Sequence, residues 1–206
     1  DRTALRRTLD RLVARHEALR TTFAGGDGGP VQIIAAADIG FALEEHDLRM
    51  LDPDVREAAL RKQSADEARA PFDLAVGPLI RGRLLRLAED EHALLLTQHH
   101  IVSDGWSLGL LVKELTALYA AFVEGREDPL PPLPVQYADF AVWQRGWLQG
   151  DALREQLSFW RDHLQGAPSL LELPTDRPRP AVQGYAGDTV ALHLPATLGA
   201  GLQALS

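Results

Sequence analysis

Apolar residues near the start of the chain recur at three- and four-residue steps: Leu5, Leu9, Leu12, Val13 and Leu19. That period places them on one face of a helix, predicted over residues 4–16 with Asp1 or Thr3 as its cap. Arg6, Arg7 and Arg11 fall on the opposite, solvated face. Thr21-Thr22-Phe23 is β-prone, and Val31–Ala35 reads as a strand after the glycine-rich run at 25–29. That run has no following Lys-Ser/Thr and no helix start, so it reads as a hairpin loop rather than a phosphate cradle. Phe41–His46 is the next predicted strand, with Phe41 and Leu43 on one face. A helix from Asp52 or Pro53 to about Arg69 follows, and Pro71 stops it.

Two further strands are predicted at Leu79–Leu87 and His92–His100, joined by the charged turn Glu89-Asp90-Glu91. Their apolar content predicts a central hairpin. Leu108, Leu111, Val112, Leu115, Leu118, Tyr119 and Phe122 then form a helical stripe from about Ser107 to Glu124, with Ser107 as the expected cap. Pro129, Pro131, Pro132 and Pro134 force an extended tie. Helices are expected at Tyr137–Leu148, Asp151–Leu164 and Ala196–Leu205, and a strand at Thr189–Leu194. Trp143, Trp147 and Trp160 are expected to serve packing. Gly166–Gly187, rich in Pro and Arg, reads as a crossing segment.

The densest polar chemistry sits where an apolar strand meets an apolar helix: Gln98-His99-His100-Ile101-Val102-Ser103-Asp104-Gly105-Trp106-Ser107. A strand, a sharp turn and a departing helix would hold a reactive side chain between rigid supports. Side chains alternate along a strand, so Leu94, Leu96, Gln98 and His100 share one face, and Leu95, Thr97 and His99 the other. The two histidines therefore do not share one metal ion, and no Cys stands nearby to complete a site. His100 can face a reaction space while His99 is packed behind it. From spacing alone, a core histidine satisfying a turn is an equal reading.

The formal charge of −8 removes the electrostatic basis for a nucleic-acid partner. Zero Cys excludes disulfides and thiol nucleophiles and fits the cytoplasm. No apolar run is expected to reach the roughly 18 residues of a membrane span, and no signal peptide opens the chain.

Several segments together resemble one family. His99-His100-Ile101-Val102-Ser103-Asp104-Gly105 matches HHxxxDG, and Arg15–Phe23 is similar to RHExLRTxF. Pro71-Phe72-Asp73-Leu74 with Gly77-Pro78-Leu79-Ile80-Arg81 is similar to PFDLxxGPLxR, and Tyr137–Gln144 to YxDFAxWQ. Phe159-Trp160, Leu164, Gly166-Ala167-Pro168 and Leu173–Pro180 continue the likeness. In this order they resemble the condensation domains of nonribosomal peptide synthetases, of the chloramphenicol-acetyltransferase-like superfamily. Epimerization domains usually place Trp after the Ser of the motif, whereas Trp106 precedes Ser107 here. Heterocyclization domains replace the histidines with Asp. The pattern leans toward an L-configured donor.

The resemblance implies an α+β fold, a two-layer α/β sandwich. Residues 1–170 would form the N-terminal lobe, and 171–206 the crossing segment and the start of a C-terminal lobe. Family domains are about twice this long, so the chain is expected to be part of a larger domain and inactive alone. The implied reaction is amide formation in antibiotic-type secondary metabolism, without a covalent enzyme intermediate. A carrier-bound aminoacyl or peptidyl thioester passes to the amine of an acceptor aminoacyl thioester. The implied partners are donor and acceptor peptidyl carrier proteins, an adjacent adenylation domain and other modules. Phosphopantetheine is carried by those partners, and the chain is expected to bind no cofactor or metal of its own. Alternatives are ester formation, a fatty-acyl donor, or a non-catalytic carrier-binding role.

By the same resemblance, catalysis is placed on His100, either as general base or as a group that positions the amine and stabilises the tetrahedral intermediate. Gly105 would allow close backbone approach and offer an N–H to the reacting carbonyl. Asp104 is implied to pair with Arg20 and hold the loop rather than complete a triad. Trp106 and Ser107 would touch the substrate arm or cap the helix. His99 is expected to be structural.

Overall fold

Asp1 starts the first helix as its cap: its carboxylate accepts from the Ala4 N–H at 2.9 Å, and α1 spans Arg2–Arg15. The predicted apolar face is realised, with Leu9, Leu12 and Val13 fully buried. A 3-10 turn, Glu17–Arg20, leads into β1 (Thr21–Ala24), which pairs antiparallel with β2 (Val31–Ile34). The computed structural model describes residues 1–26, 29–182, 184 and 190–205. Positions 27 and 28 of the expected hairpin loop and Thr189 of the expected last strand lie outside them.

β3 (Ala42–Asp47), α2 (Pro53–Arg69) and β4 (Ile80–Arg86) form a crossover unit, because β3 and β4 run parallel and parallel neighbours need a long connection. β5 (His92–Gln98) returns antiparallel along β4, giving the sheet order β3-β4-β5. Of the predicted hairpin only β4 is central; β5 lies at the edge of this sheet. Gly82 of β4 is needed for close approach: a Cβ there would meet the Leu95 carbonyl at 2.9 Å and the Phe41 ring at 3.1 Å.

α3 (Gly105–Val123) packs on α1, and the two cover one face of the sheet. Leu9, Leu12, Val13, Leu111, Leu118, Ala121 and Phe122 meet Phe41 and Ile80, with Leu43 and Leu96 beside them. That layer pair is the expected α/β sandwich. α2 adds a partial layer on the other face, where Glu67 receives Arg81 and Arg83. By length and composition α3 is long and apolar enough to cross a membrane, contrary to the expectation from the sequence. It carries Lys113 and Glu114, and its buried residues serve the α1 contact.

The remaining helices are α4 (Tyr137–Trp147), α5 (Gly150–His163) and α6 (Ala196–Leu205). The chain divides into two units, Asp1–Gln156 and Leu157–Ser206. The tryptophans, expected to serve packing, pack against other aromatic rings at the surface rather than in the core. Trp143 and Trp147 stack on each other at 5.9 Å yet remain more than half exposed. Trp160, also exposed, packs edge-on against Phe159 and His163. Residues 190–194 form no strand; they follow no partner strand among the described residues, and a lone strand cannot satisfy its backbone groups.

Candidate active site

β5 ends at Gln98, and the His99 N–H still reaches back to the Leu79 carbonyl at 2.9 Å. Alternation therefore persists to the motif. His99 lies on the α2 side, edge-on to the Phe72 ring at 5.8 Å. Its Nδ1 accepts from the Ile101 N–H at 3.0 Å, which leaves the ring proton on Nε2 and shapes the turn. His100 emerges exposed on the other side and lines a cavity of about 270 Å³. Gln98, from the same strand face, lines it too, as do Leu19, Leu111 and Tyr137.

Asp104 caps α3. Its Oδ1 accepts from the Ser107 N–H at 2.8 Å and the Ser107 hydroxyl at 2.6 Å. These bonds from Ser107, with a smaller attraction to His100, hold the Asp104 carboxyl below the usual carboxylate range. Ser107 is thus not the cap; it sits within the first turn and lines the cavity. The cap moves to Asp104 because its carboxylate can accept two bonds from one residue three positions on. Trp106 is 82% exposed and does not line the cavity.

The expected Asp104–Arg20 pair is not formed. Asp104 is taken up by Ser107, while Arg20 donates to the Ala35 carbonyl and pairs with Glu17 at 3.5 Å. Arg20 therefore closes the base of the β1–β2 hairpin. Gly105 does not have a positive φ, and a Cβ there would meet nothing within 4 Å. The turn does not require glycine, and Gly105 is not among the residues that line the cavity. Its N–H is a first-turn donor at the positive end of the α3 dipole.

Asp104→Ala is expected to lower the melting temperature by freeing the first turn of α3, and Asp104→Asn to lower it less, because an amide oxygen still caps. Thermal unfolding followed by circular dichroism reads the order; equal losses would contradict the capping role.

Sequence reasoning overlooked His16, which lines the same cavity. Its Nε2 lies 2.6 Å from Glu114 Oε2, and Arg15 binds Glu114 Oε1 at 3.2 Å and the Pro131 carbonyl at 2.6 Å. Gln136, at the start of α4, spans the same segment, accepting from the Glu17 N–H and donating to the Arg15 carbonyl. The 98-residue separation of His16 and Glu114 left no local signal. Gln98 did have one, since it shares strand parity with His100. Among the described residues no three His, Asp or Glu side chains converge as a metal site would require.

Over residues 1–206 the chain matches the family model described as Condensation domain. It is 50% identical over 203 residues to malpibaldin synthetase of Mortierella alpina, covering 98% of this chain and 4% of that synthetase. It is 48% identical over 203 residues to phosphinothricin tripeptide synthetase PhsC of Streptomyces viridochromogenes, covering 98% of this chain and 19% of that synthetase. The chain thus spans a small part of these relatives. Among solved structures, the X-domain from teicoplanin biosynthesis aligns with a TM-score of 0.76 at 34% identity, over 88% of this chain and 40% of that one. The cyclization-docking bidomain of Sorangium cellulosum aligns with a TM-score of 0.75 at 26% identity, over 86% of this chain and 34% of that one.

Proposed function

The chain belongs to the condensation-domain family of nonribosomal peptide synthetases, and from that premise we propose that it contributes the HHxxxDG half of a site that joins two carrier-bound thioesters through an amide. The observation carrying this reading is the placement of His100 in the cavity, between the end of β5 and the first turn of α3.

In this reading an acceptor α-amine and a donor thioester carbonyl meet beside His100. The amine nitrogen attacks the carbonyl carbon, and a tetrahedral oxyanion forms. The Gly105 N–H, at the start of α3, would donate to that oxygen. The His100 imidazole orients the amine and takes the proton it loses. Collapse breaks the C–S bond, and the proton ends on the departing thiol. Phosphopantetheine belongs to the donor and acceptor carrier proteins, and a thioester is already activated toward an amine. No covalent enzyme intermediate is needed.

The test is single-turnover transfer in the complete domain that contains this chain, using donor and acceptor carrier proteins each loaded with an amino acid. The expected product is a dipeptidyl thioester on the acceptor carrier, read by intact mass, and absent when either loaded carrier is omitted. Donor hydrolysis without transfer would overturn the reading. The likeness to the teicoplanin X-domain, whose complex with OxyB has been solved, favours a second reading as a partner-recruiting domain. Carrier binding without transfer would support it.

A further inference from the structure

The RHExLRTxF segment supplies a second imidazole to the cavity. His16 follows the last turn of α1, where its backbone N–H closes on the Leu12 carbonyl. His16 lines the space that His100 lines. A carboxylate only accepts, so the 2.6 Å contact to Glu114 puts the ring proton on His16 Nε2. Nδ1 has no partner among the described residues, and in the neutral ring it is the nitrogen that carries the lone pair. Glu114 is itself fixed by Arg15, whose side chain is 5% exposed, so the dyad is held on a buried support. The ring is therefore oriented by side chains that cannot easily move, which is how a binding group is made specific.

The charge of the lining defines the guest. Among the described residues, Asp104 is the one Asp or Glu that lines the cavity, and no Lys or Arg does. A cation or a neutral hydrogen-bond donor fits such a space; an anion does not. We propose that His16, tethered by Glu114, is a binding residue whose Nδ1 accepts a hydrogen bond from a primary amine or ammonium group seated in the His100 cavity. The identification of that group as the acceptor α-amine rests on the condensation reading above. His16 and His100 would then hold the amine from two sides, His16 fixing one N–H while the nitrogen lone pair is aimed at the donor carbonyl.

The test measures how the amine group and His16 depend on each other. Two probes are bound to the complete domain by calorimetry: alanyl-pantetheine with a thioether in place of the thioester, and its propionyl counterpart, which has the same shape without the amine. Wild type is expected to bind the alanyl probe about tenfold more tightly, the worth of one good hydrogen bond. His16→Gln keeps a group near the Nε2 position and removes the one at Nδ1; it is expected to abolish the preference and leave propionyl binding unchanged. His16→Asn keeps an acceptor near the Nδ1 position and gives up the Glu114 contact; it is expected to retain most of the preference.

A preference that survives His16→Gln would overturn the proposal. So would equal weakening of both probes, a loss in His16→Asn as large as in His16→Gln, or no preference or binding in wild type. Failure of the condensation reading gives a different result: the preference holds, but loaded carriers yield no dipeptide.

Discussion

His100→Ala is expected to lower single-turnover amide formation by about 10²–10⁴-fold, the usual contribution of a positioned acid–base group. Its melting temperature should stay close to that of wild type. The His100 side chain is exposed at the cavity wall, and no hydrogen bond within the described residues depends on it. Its neighbour differs. His99 holds the Ile101 N–H and meets Phe72, so its loss would disturb the turn itself. Loss of rate with the fold intact therefore assigns the defect to chemistry or substrate positioning. Unchanged rate with loaded carriers would remove His100 from the reaction. Comparing circular dichroism melting curves with product formation separates these results.

Glu67→Ala is expected to destabilise the complete domain by about 3 kcal/mol, the cost of leaving partly buried charges without their partner. Glu67 is 3% exposed on α2. Its carboxylate accepts a hydrogen bond from Arg81 at 2.7 Å and forms an ion pair with Arg83 at 2.9 Å. Arg81 also donates to the Ala70 carbonyl at 2.7 Å, closing the end of α2, and stacks over Phe72 at 3.9 Å. Phe72 in turn meets His99. The PFDLxxGPLxR segment thus braces the back of the histidine turn rather than the cavity. A variant as stable as wild type in urea unfolding would show that the cluster contributes nothing net.

The same carboxylate predicts a pH dependence. Burial pushes the Glu67 pKa up, but hydrogen bonds from Arg81 and Thr97 and the charges of Arg81 and Arg83 outweigh burial and hold it below 4.5. A depressed folded-state pKa means that the unfolded chain binds the proton more readily. The stabilisation is present above the ordinary Glu value and is lost as pH falls through the folded one. Glu67→Gln, which keeps hydrogen bonding but cannot ionise, should show a flatter fall in stability below pH 4.5 than wild type.

Much of this was legible locally. The three- and four-residue apolar steps predicted α1 and α3 to within a few residues, because helix period and burial select the same positions. Strand alternation separated His99 from His100 before any contact was known, since a pleated strand must turn successive side chains apart. The motifs identified the family because they stand close along the chain. Boundaries and roles within the motif were harder. The sequence pointed to Ser107 as the cap; the folded loop made it Asp104 by turning that carboxylate onto Ser107.

The sequence by itself therefore determined the helices, the strands of the two sheets though not the absence of one at 190–194, the alternation that exposes His100, and the family. Only the tertiary structure decided which distant groups meet. It directed Arg20 to Ala35 rather than Asp104, buried Glu67 beneath two arginines, and set His16 against Glu114 across 98 residues. The reason is physical. Periodicity records which side of an element faces away from water, a property of neighbouring residues. A charge pair or a cavity wall depends on where separate elements come to lie, and that is set when α1, α3 and the sheet close on one core.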